Sequence, residues 1–272
     1  MNFTEATTSR EAIQLAKTLY PNLIGSTENH DLFMRETSLP EATADALDFC
    51  ADIAPGNPVF VEVAPTPTAR PGWCFTNVAD VAATAGGSVC YGWTIWGAPG
   101  LWYNAEFHAV WKTSGETLID VTPKVDGENF IMFLPDPRYS PDFDFYQRPN
   151  NVRMRTYGHF ERRDSVRAKL AGFNEARVRY EREKATLKGL SLLQSIGTGL
   201  KRDRFEKLID GFLEEVGEFE NMLKPTPDGM VCKDPRHTAQ FERRRHRVWR
   251  QKTKLFLMAD MIVRGMVPGK EA

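Results

Sequence analysis

The sequence lacks long hydrophobic runs: its unbroken apolar stretches are only a few residues long, although 42% of its 272 residues are hydrophobic. A helix that crosses a membrane needs about 20 consecutive, predominantly apolar residues, so we expect no membrane partner. Residues 1–20 also lack the basic region followed by an apolar region that marks a signal peptide. The expected location is therefore the cytoplasm.

Cysteine is scarce, and the four cysteines are not closely paired along the chain. Cys50, Cys74, Cys90 and Cys232 form no Cys-x-x-Cys pair, whereas a structural zinc site usually draws its ligands from such pairs. Cysteines of cytoplasmic proteins also stay reduced. The sequence thus predicts free thiols, at least one of which is a candidate for reactivity, with no metal and no organic cofactor.

The whole chain has almost no net charge, but its two parts are strongly and oppositely charged. The net charge is −1, yet residues 1–150 hold 8 Lys and Arg against 19 Asp and Glu, a net −11, while residues 151–272 carry +10. This asymmetry predicts an α+β domain over residues 1–150 and a basic helical extension over residues 151–272. Two interpretations are open, docking of the two parts against each other and a basic face for an anionic partner.

Hydrophobic periodicity predicts a mixed first domain and an all-helical C-terminal extension. Apolar residues recur at three- and four-residue steps in the expected helices and alternate in the expected strands. Thr113–Glu116 predicts a hairpin turn between two of those strands. Helices are expected over residues 9–20, 39–51, 74–85 and 203–223, with weaker patterns over 160–196 and 237–265, and strands over 59–63, 88–96, 105–112, 117–121 and 130–134.

Three residues in order carry the chemistry that the sequence suggests: Cys74 at the start of an expected helix, then His108 and Asp120 on expected strands. A thiol at a helix N-terminus ionises more readily because it lies at the positive end of the helix dipole. A neighbouring imidazole can take up its proton, and a carboxylate on an adjacent strand can hold the imidazole in the required tautomer. Cys74, His108 and Asp120 are therefore the predicted catalytic triad.

The residues around this set resemble the transglutaminase-like superfamily, within the broader papain-like cysteine fold. The resemblance lies in Gly-Trp-Cys at 72–74, Phe-His-Ala-Val-Trp at 107–111 and Leu-Ile-Asp-Val-Thr-Pro at 118–123, and it covers about residues 59–125. It implies an α+β core in which a helix bearing the cysteine packs on an antiparallel sheet bearing the histidine and aspartate. Arylamine N-acetyltransferases share the order of the three residues, but Thr-Pro-Lys follows Asp120 where they have a glycine-rich segment.

The groups that would bind substrate are less well defined by the sequence. Papain-like enzymes usually have a glutamine several residues before the nucleophile, where this chain has Thr68. An oxyanion hole here would combine the backbone N–H of Cys74 with another donor: Asn77, Trp93 or an upstream amide. Glu106 shares a strand face with His108, so it would tune the imidazole, contact substrate or serve as a charge at the rim.

The favoured function is a cysteine-dependent acyl-transfer enzyme that acts on an amide or ester, with a protein or peptide as substrate. Water as second nucleophile would make it a peptidase, amidase or deamidase, and an amine would make it a transferase; both remain open. The alternative is a catalytically inactive module of the same fold whose helical C-terminal region binds a protein partner. These helices are also a candidate surface for a homo-oligomer.

A nucleic-acid partner is the weakest of the alternatives. Residues 242–250 (ERRRHRVWR) are the most basic stretch and include Trp249, which a nucleic-acid interface would use for stacking. Acidic residues reduce the positive charge of the surrounding region, however, and the sequence contains no nucleic-acid-binding motif there. A solvated or inter-domain helix face is the favoured interpretation.

Overall fold

A computed structural model describes residues 8–19, 36–98, 100–124, 127–187, 192–226 and 229–266. Over these residues the chain forms eight α-helices, a seven-stranded sheet and a two-stranded sheet, so the predicted α+β class is confirmed. The helices are α1 (Ser9–Leu19), α2 (Ala44–Ile53), α3 (Cys74–Ala85), α4 (His159–Ala171), α5 (Glu175–Leu187), α6 (Leu192–Thr198), α7 (Arg204–Glu220) and α8 (Thr238–Val263). The strands are β1 (Thr37–Ser38), β2 (Val59–Val63), β3 (Ser88–Ala98), β4 (Trp102–Lys112), β5 (Leu118–Asp120), β6 (Phe130–Pro135), β7 (Val152–Arg155), β8 (Leu223–Thr226) and β9 (Gly229–Cys232).

The larger sheet closes on itself. Its strand order is β1-β3-β6-β2-β5-β4-β7, and β3 also pairs with β4, so β3, β6, β2, β5 and β4 form a ring. The β2–β5 pair is parallel and the other pairs are antiparallel. Closure leaves few exposed strand edges. Within this ring the β4–β5 hairpin places Asp120 beside the strand that bears His108.

At Gly92, β3 and β6 lie too close together to leave room for a side chain. A Cβ on this residue would overlap the backbone carbonyl of Leu134 and the ring of Phe133. Gly92 lies directly opposite His108 in the β3–β4 register, and cross-strand partners point to the same face of a sheet. The ring of Phe133 therefore occupies the space that a side chain opposite His108 would take.

The main hydrophobic core lies between the sheet and the helices α2 and α3. Alternate residues of β3 and β4 face it, as the two-residue period of a strand requires, and aromatic rings dominate their contacts. Tyr91 stacks near Phe107 with ring centroids 5.9 Å apart, and Trp93 meets Phe107 edge-on at 5.3 Å. Helix α3 brings Cys74 and Val78 into the same cluster, so the first turn of this helix packs with the aromatic residues of β3 and β4.

The C-terminal helices pack against one end of the sheet. A second hydrophobic cluster combines Ile13 and Trp102 with Phe212 and Phe256, so it contains residues from both sides of the expected boundary at residue 150. A buried carboxylate reinforces this contact: Glu206 is ion-paired with Arg155 of β7 at 2.9 Å and with Arg162 of α4 at 2.5 Å. The C-terminal helices are thus held to the sheet by apolar contacts and, through Arg155 of β7, by an ion pair.

The structure corrects three sequence-based boundaries. Helix α2 begins at Ala44 rather than at residue 39, because Thr43 caps it by accepting a hydrogen bond from the backbone N–H of Ala46. The pattern over 160–196 is divided among three helices, α4, α5 and α6. The extension is not all-helical, since β7 joins the large sheet and β8 pairs with β9. The residues of β8 (Leu-Lys-Pro-Thr) and β9 (Gly-Met-Val-Cys) do not alternate, and those of β7 (Val-Arg-Met-Arg) alternate over only four residues, the shortest run that indicates a strand.

The long C-terminal helix and the strand predictions hold. The expected helix over 237–265 corresponds to α8, and the hairpin turn at Thr113–Glu116 joins β4 to β5 as predicted. Within the described ranges, no helix has the length and apolar character needed to cross a membrane.

Candidate active site

Cys74 is the first residue of α3, as the sequence predicts. The chain turns sharply before it: Gly72 has a φ of +76°, in the region that favours glycine, and the backbone N–H of Trp73 donates to the carbonyl of Arg70 at 3.3 Å. The guanidinium of Arg70 covers the Trp73 ring, 3.6 Å from its centroid. This turn presents the cysteine at the N-terminal end of the helix, where the helix dipole favours a thiolate.

Asn77 fastens that turn to the helix. Its Oδ1 accepts a hydrogen bond from the backbone N–H of Arg70 at 3.0 Å, and its Nδ2 donates to the carbonyl of Arg70 at 2.9 Å. Nδ2 also donates to Oγ1 of Thr122 at 3.1 Å. The side chain is 5% exposed, and its amide group is engaged in positioning the turn. The oxyanion-hole role expected for Asn77 remains a prediction, but its N–H groups are used elsewhere in this structure.

His108 and Asp120 form the pair that the sequence predicts. Nε2 of His108 lies 2.9 Å from Oδ2 of Asp120, and the carboxylate is fully buried. The other carboxylate oxygen, Oδ1, accepts a hydrogen bond from the backbone N–H of Thr122 at 2.9 Å. Because Asp120 engages Nε2, the second ring nitrogen of His108 is left for the thiol.

The thiol of Cys74 lies where β4 and β5 separate. The two strands pair only at Trp111 and Lys112 of β4, so the β4 backbone is open at Ala109, whose N–H is hydrogen-bonded to the Cys74 sulfur. Burial raises the pKa of Cys74, but the charge and the hydrogen bond of His108, together with the Ala109 N–H, outweigh it and lower the pKa below its usual range. The geometry favours a thiolate.

The imidazole is favoured in its protonated form. Burial and the charge of Lys124 lower the pKa of His108, while the charges of Asp120 and Cys74 raise it more strongly, to about 9. Burial raises the pKa of Asp120, but His108 and Lys124 bring it down to about 2. The three groups therefore form a buried row in which their mutual charges favour the thiolate of Cys74, the imidazolium of His108 and the carboxylate of Asp120.

Lys124 is a site residue that the sequence analysis did not single out. Its Nζ lies 2.5 Å from Oδ2 of Asp120 and 3.5 Å from Nε2 of His108, and its side chain is only 7% exposed. The only feature of the sequence that points to Lys124 is its position four residues after Asp120. It lies in the Thr-Pro-Lys segment, where the chain departs from the arylamine N-acetyltransferase pattern. The ammonium group makes the site a cluster of four ionisable groups.

The other two predicted binding residues lie on opposite faces of the sheet. Trp93 faces the main core, and its indole N–H donates to Oδ2 of the buried Asp136 at 3.0 Å, so this donor is not directed at the thiol. Glu106 is exposed and accepts a hydrogen bond from the indole of Trp96 at 2.9 Å. Its negative charge raises the pKa of Cys74, which places Glu106 close enough to the nucleophile to influence it.

The segment between β6 and β7 packs against Phe75, the residue that follows Cys74. Phe145 stacks on Phe75 with ring centroids 5.1 Å apart, and Tyr146 meets Phe75 edge-on at 6.2 Å. The guanidinium of Arg148 lies 4.6 Å from the Phe145 ring centroid, and its Nη2 contacts Sδ of Met230 in β9 at 2.9 Å. The β8–β9 hairpin of the extension thus reaches the rim of the site.

The side chains of Cys74 and His108 are little exposed: Cys74 is 8% and His108 6% accessible.

The remaining cysteines differ electrostatically from Cys74. Burial raises the pKa of Cys50 to about 12 and raises that of Cys90 as well. All four cysteines are free thiols. Among the described residues, no group of three or more His, Cys, Asp or Glu side chains is placed to hold a metal ion.

The chain has no match among protein-family models, curated proteins or solved structures.

Proposed function

We propose that the chain is a cysteine-dependent acyl-transfer enzyme whose catalytic residues are Cys74, His108 and Asp120. The observation that carries this proposal is the buried row of a lowered-pKa thiol, an imidazole and a carboxylate, with His108 and Asp120 2.9 Å apart. A structural cysteine in an apolar core has a raised pKa, as Cys50 does. A lowered pKa in spite of burial is typical of a nucleophile.

The core type that fits these elements is transglutaminase-like or papain-like. Its features here are a helix that starts at the cysteine and packs on strands bearing the histidine and the aspartate. This likeness is one of local arrangement and residue order. It supports acyl transfer from a protein or peptide substrate as the class of reaction.

In the first half of the reaction, the Cys74 thiolate attacks the carbonyl carbon of an amide or ester and forms a carbon–sulfur bond. The carbonyl electron pair moves to oxygen, and the backbone N–H groups at the start of α3 would donate to this oxyanion. His108 then gives its proton to the leaving amine or alcohol as the carbon–nitrogen or carbon–oxygen bond breaks. The products are a thioester on Cys74 and a neutral imidazole.

In the second half, the neutral imidazole of His108 takes a proton from water or from an amine as that nucleophile attacks the thioester. The carbon–sulfur bond breaks, and its electron pair returns to the sulfur, which restores the thiolate and imidazolium. Asp120 keeps its charge throughout and stabilises the imidazolium. Hydrolysis and amine transfer differ only in which nucleophile reaches the thioester.

The proposal is tested by the reactivity of the native thiols. The folded chain is treated with limiting iodoacetamide at about pH 6, well below the pKa of about 8.5 of a free thiol, and the adducts are mapped by peptide mass. Cys74 is expected to react first and Cys50 last. In His108→Ala the labelling of Cys74 should slow by at least about tenfold, whereas the control His237→Ala, at an exposed position, should leave the rate unchanged.

A second candidate function is favoured by one observation, the low exposure of Cys74 and His108. An inactive interaction module of the same fold would keep the thiol covered. That candidate gains if Cys74 is alkylated no faster than Cys90 in the folded chain and if His108→Ala has no effect on the rate. Labelling in denaturant, where all four cysteines are accessible, shows that the reagent itself is not limiting.

A further inference from the structure

The carboxylate of Asp120 receives more hydrogen bonds and ion pairs than orienting His108 requires. Its Oδ1 is bound by the Thr122 N–H, and its Oδ2 is shared by two cationic groups, Nε2 of His108 at 2.9 Å and Nζ of Lys124 at 2.5 Å. The two cationic nitrogens are 3.5 Å apart. A buried lysine on the oxygen that orients the histidine competes with it for the same negative charge.

Lys124 is held in this place by more than its ion pair. Its ammonium lies 5.8 Å from the ring centroid of Trp96, a distance at which an aromatic ring attracts a cation. Trp96 is fixed in turn by its hydrogen bond to Glu106. The side chain is 7% exposed, so solvent screens its charge little.

We propose that Lys124 is a positioning residue of the site: by sharing Oδ2 of Asp120 with His108, it fixes the carboxylate and limits how strongly that carboxylate retains a proton on the imidazole. This inference rests on the proposed acyl-transfer function, because His108 must release its proton to the leaving group and recover one in each cycle. An imidazolium paired with an undivided buried carboxylate gives up its proton less readily. Lys124 takes part of that charge without contacting the thiol.

The charged groups around His108 have opposing effects on its protonation. Asp120 and the Cys74 thiolate favour the protonated ring, and Lys124 opposes it. Further out, the charge of Glu106 raises the pKa of Cys74. Burial lowers the pKa of Arg148, and the charge of Cys74 opposes that effect. Lys124 is the group in this set that contacts Asp120 and His108 together.

The test is a titration of the His108 ring by NMR in the full-length chain, with its signal assigned by its loss in His108→Gln. The chain has five histidines, so the spectrum is simple. In Lys124→Met, which keeps the length of the side chain but removes its charge, the midpoint of His108 is expected to rise by about one unit. In the matched Lys124→Arg, which keeps the charge, it should stay within about 0.3 units of the parent.

An unchanged midpoint in Lys124→Met overturns the proposal, as does an equal shift in Lys124→Met and Lys124→Arg. A merely structural role would lower the thermal midpoint of both variants without separating their titrations. If Lys124→Met does not fold, the neutral hydrogen-bonding variant Lys124→Gln is titrated in its place, with the same expected rise. Alkylation of Cys74 at pH 6 in the parent chain tests the acyl-transfer function separately from the role of Lys124. Absence of that reactivity contradicts the acyl-transfer function, whereas the His108 titration tests only the role of Lys124.

Discussion

Asn77 and Thr122 join the helix that begins at Cys74 to the residues that follow Asp120: Nδ2 of Asn77 donates to Oγ1 of Thr122 at 3.1 Å. The same asparagine holds the turn before Cys74, and the backbone N–H of Thr122 holds Oδ1 of Asp120. A single link therefore couples the position of the thiol to that of the carboxylate. Loss of this link should disturb both.

Asn77→Ala should destabilise the fold and slow the alkylation of Cys74. The substitution removes three buried or half-buried hydrogen bonds and leaves the backbone groups of Arg70 without these partners. We expect the free energy of unfolding to fall by about 2–4 kcal/mol, measured by urea denaturation. The control is Thr84→Ala, where an exposed hydroxyl bonds only to its own helix. Equal stability of the two variants would contradict a bracing role for Asn77.

Glu106→Gln should make Cys74 more reactive in mildly acidic solution. The carboxylate raises the pKa of the thiol, so its neutralisation should lower that pKa and increase the thiolate fraction, while the amide can still accept the Trp96 hydrogen bond. Because Glu106 is exposed, the expected gain in alkylation rate at about pH 5 is less than tenfold, or one pKa unit. Glu116→Gln, on the exposed hairpin turn, is the control. A slower rate in Glu106→Gln would show that the carboxylate assists the thiol.

Stability should depend on Asp120 at acidic pH. Its pKa is about 2 in the folded chain, below the ordinary 3.8, because His108 and Lys124 favour the charged form over the effect of burial. Its contribution to stability is therefore complete above about pH 3.8 and is lost as the pH falls through about 2. Urea midpoints of the parent should fall more steeply between pH 4 and 2 than those of Asp120→Asn. Parallel curves for the two chains would argue against the buried ion pairs.

Phe145→Ala should make Cys74 more accessible to solvent. The ring stacks on Phe75, the neighbour of Cys74, and its removal should speed the alkylation of Cys74 while costing about 3 kcal/mol of stability. The matched control is Phe212→Ala, which removes an equally buried ring from the second hydrophobic cluster. It should destabilise the fold to a similar extent without selective labelling of Cys74. Equal labelling in the two variants would indicate reaction through global unfolding.

The parts of the site that depend on local sequence could be predicted. The three-residue steps after Cys74 and the paired glycines at residues 86 and 87 define α3, and the turn after Lys112 brings His108 and Asp120 onto neighbouring strands. These features are set by periodicity and turn chemistry within a few residues. The contact of His108 with Asp120 follows from them and is seen at 2.9 Å.

The parts that depend on distant contacts could not be predicted. Lys124 lies in an irregular segment, and nothing in its neighbours indicates that its side chain folds back onto Asp120. Trp93 is one of three alternative donors that the sequence offers for an oxyanion hole, and its hydrogen bond to Asp136 could not be predicted because Asp136 lies in a loop without a periodic pattern. The parallel pairing of β2 with β5 could not be predicted either, because the sequences of the two strands do not indicate their register.

That parallel pairing has a consequence for the order of events during folding. Helix α3 and the β3–β4 and β4–β5 hairpins form from residues close in the chain, but Asp120 gains its second neighbouring strand only when Val63, far upstream, pairs with it. Contacts between distant segments form late because the intervening chain must first be closed into a loop. In a nascent chain Asp120 therefore stays open to solvent on that side until β2 has paired, and we expect the pKa of Cys74 to fall below its usual range only once the ring of strands has closed.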